Sequence, residues 1–381
     1  MNHSTEVDLQ SFQVELNDLR ARTLAKLGAD DAAHIEGARR LADVLALVGR
    51  TLIHFSLEPV SFGVGVMALG TYKIIENMEI GHNVLHGQYD FLENPQLNSE
   101  TYEWDIVGTA KTWKHAHNVT HHVYTNVLGK DDDFGYTFFR LSSEVAWKPH
   151  HLTQVFSSLF VGLTFDHMVS YYHARPSEYL TAKRGTPEWR QQLADMAKDW
   201  LRLANKTARH HAKELLFFPM LAGPFAPKVA LGNLLAQGVR NLWSYAVIHC
   251  GHLPPQTSVF TEEDFASETR GGYYLRQMTG SANIEAGPVL GLLTGHLSHQ
   301  IEHHLFPDIP AWRYPAMAPE VKRIAERHGV PYHTGTLIKQ YGSVLRALLR
   351  YAVPNAPDDG HRLSSRHTPA PREPGLCVAQ A

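Results

Sequence analysis

Beyond residue 40 the chain alternates apolar runs with short polar breaks. Leu41 to Leu57 is mostly apolar, interrupted by Asp43 and Arg50, and Pro59 to Ile75 is apolar again apart from Lys73. Glu58-Pro59 separates the two runs. Helices of about 17 residues just reach across a bilayer core, so the pattern predicts a hairpin over 41–77 that turns at this Pro. Leu215 to Pro227 and Val229 to Cys250 flank a Pro-rich corner, Gly223 to Lys228, and predict a second hairpin over about 213–250. Any one of these runs, taken alone, reads equally well as a buried helix of a soluble protein. Leu152 to Tyr172 is a third apolar stretch, but it carries Asp166, His167 and several Ser and Thr, and it is expected to lie at the interface. Between it and the second hairpin, His173 to Lys213 holds nine Lys/Arg against four Asp/Glu, a bias that favours the cytosolic side. Trp189, Leu193, Met196, Trp200 and Leu203 recur there at helical spacing, as on a helix lying along a membrane surface.

The flanks are simpler. Residues 1–40 are expected to form a cytosolic arm, with a polar helix from Asp8 to Leu27. Pro310 to Tyr351 reads as short amphipathic helices. Residues 354–381 contain five Pro among polar residues and read as a disordered tail. The fold class expected is an all-α membrane protein. Four transmembrane helices in two hairpins carry a cytosolic helical cap, and 41–353 form one domain. No internal repeat and no strand-rich region is evident. The N-terminus lacks the apolar core of a secretory signal. A mean hydropathy of −0.26 argues against a transporter made mostly of lipid-facing helices. A formal charge of −3 argues against a nucleic-acid binder. Cys250 and Cys377 are far apart with no CxxC, which argues against a disulfide scaffold or a Cys-held cluster.

Histidine changes the picture, because the chain has 25 of them beside 2 Cys. Six lie between residues 82 and 122, and four between 296 and 304. In His82-Asn83-Val84-Leu85-His86 the two imidazoles are four apart and share a helix face. In Trp113-Lys114-His115-Ala116-His117-Asn118-Val119-Thr120-His121-His122 the same spacing joins His117 to His121, with His122 beside them. In Gly295-His296-Leu297-Ser298-His299-Gln300-Ile301-Glu302-His303-His304 it joins His299 to His303. His249 and His252 stand at the end of the last apolar run. A lone His is most often a packed or surface residue. Three boxes at ligand spacing in one chain are not scattered in that way. Neutral imidazole suits Fe, Zn, Cu and Ni, and seven or more imidazoles exceed the four ligands of a structural zinc site. They suffice for two metal ions with positions left open. If all the boxes build one site, the number of membrane crossings between His122 and His296 is even, which again leaves Leu152 to Tyr172 uncrossed.

HxxxH, HxxxHH and QxxHH in this order resemble the membrane-bound fatty acid desaturase family. The resemblance extends to HNVLHGQYD, YEWD, WKHAHNVTHHVYTNVLGKDDDFGY, CGHLP and HQIEHHLFPDIP, spans roughly residues 40–340, and is nearest to bacterial acyl-CoA desaturases of the stearoyl-CoA 9 type. It implies two Fe ions, held here by His82 and His86 from the first box, His117, His121 and His122 from the second, His252 from CGHLP, and His303 and His304 from the third. Gln300 stands where the animal stearoyl-CoA enzymes have His. His249 competes with His252, and His115, His296 and His299 are expected as neighbouring groups or spare ligands. Glu79, Asp105, Glu302 and the acidic run Asp131 to Asp133 are candidates to orient the rings.

The implied reaction uses O2 and two electrons to place a cis double bond in a long-chain acyl-CoA or acyl lipid. No HPGG haem motif of a fused cytochrome b5 occurs. Electrons are therefore expected from NAD(P)H through a separate reductase or ferredoxin-like donor, for which Arg175 to Lys213 is a docking candidate. The expected location is integral in the membrane, multi-pass, with the site on the cytosolic face of a bacterial inner membrane. The rival readings are a hydroxylase on the same scaffold and a His-rich metal transporter. The transporter would need His inside the apolar runs, whereas the boxes follow them.

Overall fold

The computed structural model of the protein describes residues 7–354, except 132, 134, 136, 137 and 144. The tail expected over 354–381 thus lies, Pro354 aside, outside the described residues. Among the described residues the chain is mostly helical. Its β structure there is a two-residue parallel ladder, Asn283–Ile284 beside Thr334–Gly335, and one isolated bridge between Val127 and Phe260.

The first three helices are α1 (Leu9–Leu24), α2 (Ala29–Phe55) and α3 (Pro59–Ile74). The α2–α3 turn falls at Glu58-Pro59. The Glu58 carboxylate accepts from the Val60 and Ser61 amides at 2.6 and 2.7 Å, and Pro59 fills the first helical position, where no amide donor is needed. Glycines bring the two helices together. A Cβ on Gly49 would lie 2.6 Å from the Leu69 backbone nitrogen, and one on Gly65 would lie 2.9 Å from that of Ile53. Small residues that let helix backbones approach are typical of packing inside membranes. Gly49→Leu is therefore expected to lower stability by at least the roughly 1–3 kcal/mol of an overpacked core, because backbone, not a flexible side chain, stands in the way. A denaturation series in detergent checks this; unchanged stability would mean that the hairpin is looser than described.

The second pair is built from a longer first arm than the apolar run suggests. Helix Pro187–His211 continues through a π-helical turn, Ala212–Phe217, into Phe218–Met220, so this arm starts well before residue 213. After the Gly223–Phe225 corner the chain returns as helix Ala226–His252. That helix packs on α3 in a core of Ile53, Val66, Leu69, Val229 and Ala236. Leu152 to Tyr172 is two helices, Gln154–Leu163 and Phe165–Tyr172, broken at Thr164.

No helix among the described residues is long and apolar enough to cross a membrane. The four crossings expected from the pattern have no such helix behind them. The cause is compositional: α2 is long but interrupted by charges, while the apolar 16 residues of α3 run on into a stretch that carries Glu76 and Glu79.

The N-terminal arm is less peripheral than its polarity suggests. Phe12, Leu16 and Leu19, a one-sided stripe on α1, are buried against Tyr274, Ile301, Leu305, Phe306 and Tyr314. This core holds the short helix Gln300–Leu305 of the third box. The expected amphipathic helices after Pro310 are Tyr314–Arg327, which lies on the same core, and Leu337–Arg350.

Candidate metal centre

The first two boxes sit on widened helix turns. α3 runs on as a π-helical stretch, Ile75–His82, before Asn83–Leu85, and His115–His121 is π-helical as well. Such turns occur mostly as single insertions and often at functional sites. In these two boxes the imidazoles expected to share a face do so, whereas His299, on the short 3-10 turn ahead of Gln300–Leu305, does not join His303. The rings of His82 and His86 are 4.6 Å apart, and those of His117 and His121 are stacked at 5.2 Å.

All eight histidines carried over from the family motifs converge. The ligand atoms of His82, His86, His117 and His303 lie within 4.8 Å of one another, as do those of His121, His252 and His304. His122 joins His303 and His304 in an overlapping group. His122 also stacks on His304 at 4.4 Å and meets His86 edge-on at 4.8 Å, so it stands between the two main groups.

The chemistry of these nitrogens fits a bound metal pair. His86 Nε2 and both ring nitrogens of His122 and of His303 are buried without a hydrogen-bond partner. Leaving one buried polar group unmade costs about 1–3 kcal/mol, so several in one place call for an electron-pair acceptor that the side chains do not supply. His252 Nε2 and His304 Nε2 face each other at 3.0 Å. Burial pushes the His82 imidazole down to about 3 and the His117 imidazole down to about 4. Burial, with crowding by neighbouring imidazoles, holds His86, His122, His303 and His304 well below the ordinary range. Neutral imidazole is the ligating form.

These shifts give the metal-free protein a pH dependence. Below the unfolded value of about 6.5, the unfolded chain takes up protons on these histidines and the folded chain does not. The stability these histidines contribute is full above about pH 6.5 and is lost progressively as the pH falls towards 4, offset in part by His121 and Glu302, which are shifted the other way. Thermal unfolding of chelated protein from pH 7.5 to 4.5 is expected to show this fall. A flat profile would mean that the histidines are not held neutral.

Residues 59–336 match the family model described as fatty acid desaturase. The chain belongs to the fatty acid desaturase family. It is 36% identical, over 93% of its length and 82% of the relative's, to an NADPH-dependent stearoyl-CoA 9-desaturase of Mycobacterium tuberculosis. It is 26% identical to an acyl-lipid (7-3)-desaturase of Rebecca salina, over 76% of this chain and 64% of the relative. It is 25% identical to an sn-1 linoleoyl-lipid 6-desaturase of Synechocystis, over 72% of this chain and 76% of the relative. The desaturase is accordingly an oxidoreductase.

Around the imidazoles the desaturase places several orienting partners. Asp131 accepts from His121 Nδ1 at 3.0 Å and is itself fixed by the Asn126 and Asp133 amides. Although burial works against it, the Asp131 carboxylate raises the His121 imidazole above its ordinary value. Asp133 lies between His117 and His173, at 3.6 and 3.3 Å. Asp132, in the same acidic run, lies outside the described residues.

Four other partners were not expected. Asn83 Oδ1 faces His82 Nδ1 at 3.0 Å, and Gln277 Oε1 and Thr125 Oγ1 face His304 Nδ1 at 2.9 and 3.2 Å. His173 is the fourth, through Asp133. Asn83 lies within the first box and Thr125 within the second-box motif; Gln277 and His173 come from distant segments, and no local pattern marks them.

Several expected neighbours are placed elsewhere. His115 points outward and is exposed, because the π-helical turn buries Ala116 and His121 instead. Asp105 is taken up by Lys213 at 2.6 Å and by His210 at 3.4 Å, away from the boxes. Glu302 accepts from Tyr332 and Asn283 at 2.7 and 2.9 Å, and burial pushes its carboxyl up to about 7. His249 donates from Nδ1 to the Tyr245 carbonyl at 2.8 Å and is not in the eight-histidine groups. His299 is outside them too, with Nδ1 at 3.2 Å from Ser298 Oγ. Gln300 Nε2 lies 2.9 Å from His252 Nε2. His296 pairs with Glu79.

Proposed function

We propose that this desaturase uses O2 and two electrons to introduce a cis double bond into a long-chain acyl-CoA or acyl lipid. His82, His86, His117, His121, His122, His252, His303 and His304 would hold two irons. The observation that carries this reading is the convergence of eight imidazoles, six buried and two half-buried, whose nitrogens are in part unpartnered. An iron pair supplies, when bound, the oxidising power needed to remove hydrogen from an unactivated methylene.

The chain's own residues do the rest. Asp131 and Gln277 fix ring orientation, Gln300 leans on His252, and burial keeps water and protons from the nitrogens. Beside His82, His117, His121 and His252 opens a cavity walled by Trp104, Ile106, Phe165, Ile248, Leu253 and Leu297, a surface suited to an alkyl chain. Val169 also lines a second groove of about 580 Å³, with Phe156, Phe160, Met168 and Tyr172. An acyl tail entering from a lipid surface could pass along this groove to the imidazoles.

The membrane reading rests on exposed apolar side chains along the same elements. Phe55, Val60, Met67, Leu216, Met220, Leu221, Leu231 and Leu234 are all more than half exposed. Large exposed apolar surface of this kind is a mark of a membrane or partner surface. We take residues 41–353 as the catalytic domain, the hairpins 41–77 and 213–250 as membrane-inserted, and the boxes as facing the cytosol. A separate protein would deliver electrons from NAD(P)H.

Expression in a host lacking its own desaturase, followed by double-bond location in its fatty acids, tests the reading. Unsaturated product supports it. Hydroxylated product would assign the chain to hydroxylation on this scaffold, and unchanged lipids with folded, iron-loaded protein would contradict it.

A further inference from the structure

A second convergence of ligand-type side chains lies outside the eight histidines. Glu79 is fully buried on the π-helical stretch before His82. Its Oε1 is 2.6 Å from His34 Nε2 on α2, and its Oε2 is 2.9 Å from His296 Nδ1, just ahead of the third box. The three ligand atoms lie within 4.8 Å of one another. They come from segments 45 and 217 residues apart from Glu79.

Two further observations show that this meeting is enforced. His296 adopts the left-handed conformation, φ 57°, which few residues other than Gly take, although His, like Asn and Asp, enters it more readily than most. Such outliers gather where a side chain must be aimed. The His34 ring is stacked on Trp312 at 5.2 Å and 12°, and the Trp312 indole is anchored by donating to Asp31 at 2.8 Å. The His34 side chain keeps 23% exposure, so the group has a way in from solvent while Glu79 has none of its own.

We propose that His34, Glu79 and His296 form a third metal site, separate from the eight-histidine centre, that takes a divalent zinc-class ion. Two imidazoles and one carboxylate are a donor set that zinc accepts with its fourth position open, here towards the exposed edge of His34. The carboxylate supplies the charge, so the ion is bound without further acids. An ion there ties α2 to the segments that precede the first and third boxes.

The test uses detergent-purified, iron-loaded full-length protein, with Zn2+ as the added probe. Wild type is expected to retain one zinc per chain after desalting and to unfold at a higher temperature with Zn2+ than without it. His34→Gln keeps a side-chain amide that can donate to Glu79 but ligates poorly. It is expected to retain no zinc, to lose the Zn2+-dependent shift, and to keep its iron. His296→Asn, where Asn tolerates the left-handed conformation, should behave in the same way. Wild type that retains no zinc, or variants that retain as much as wild type, would overturn the proposal and leave the triad a hydrogen-bonded clasp around a buried carboxylate. Iron retention is read separately, so this failure leaves the eight-histidine reading untouched.

Discussion

His303→Ala is expected to abolish double-bond formation, by more than about 100-fold, while the protein still inserts and folds. Loss of a group that only orients a metal ligand already costs about 10–100-fold in metal affinity or activity. His303 is more central than that. It belongs both to the group with His82, His86 and His117 and to the group with His122 and His304. Both its ring nitrogens are buried without a partner, so the protein gives the side chain no other polar employment. Removing it leaves a small cavity and releases two unpaired nitrogens from the core, so the fold is expected to tolerate the change. Product assay and iron content, measured on the same preparation, check the prediction. Near wild-type activity would exclude His303 from the centre. Loss of activity with iron fully retained would give it a role other than ligation.

The largest effect on stability is expected at Asp166. Its carboxylate accepts from Arg240 at 2.7 Å, from Asn241 at 3.0 Å and from His167 at 2.7 Å, and Gln237 donates to it as well. The Asp166 and Arg240 side chains are 3% and 2% exposed. Asp166→Ala would leave a guanidinium buried with no opposing charge, which costs about 3–5 kcal/mol. That is a large part of the margin of most folded proteins. The double replacement Asp166→Leu with Arg240→Met removes both charges, and is expected to be milder than Asp166→Ala alone. Chemical denaturation of the three proteins in one detergent checks the order. A double variant less stable than the single one would mean that the charges contribute beyond satisfying each other.

The sequence made the site more legible than the scaffold. Helical spacing alone paired His82 with His86 and His117 with His121, because local geometry decides which side chains share a face. Family motifs brought in His252, His303 and His304 across long separations. What went unread depends on packing between distant segments. Gln277 reaches His304 from elsewhere in the chain, and nothing near it marks it; Thr125 lies in the second-box motif, but its contact with the third box depends on packing.

Asp105, in the YEWD segment between the first two boxes, is a candidate orienting acid by sequence. Lys213 and His210 compete for it successfully, and they arrive from the first arm of the second hairpin. His115 shares a box with three converging histidines, yet a π-helical turn rotates it to the surface. The Glu58-Pro59 and Gly223–Phe225 turns were legible because Pro imposes them. The extent of the helices was not, since α2 and the arm ending at Met220 continue through charged residues that hydropathy treats as boundaries.

Iron quantification on the purified full-length chain tests the central claim most directly. The protein, expressed with ample iron and isolated anaerobically, is expected to contain two irons per chain at the eight-histidine centre, and to lose them in His303→Ala. Protein that folds but holds zinc there, with no iron under those conditions, would contradict it.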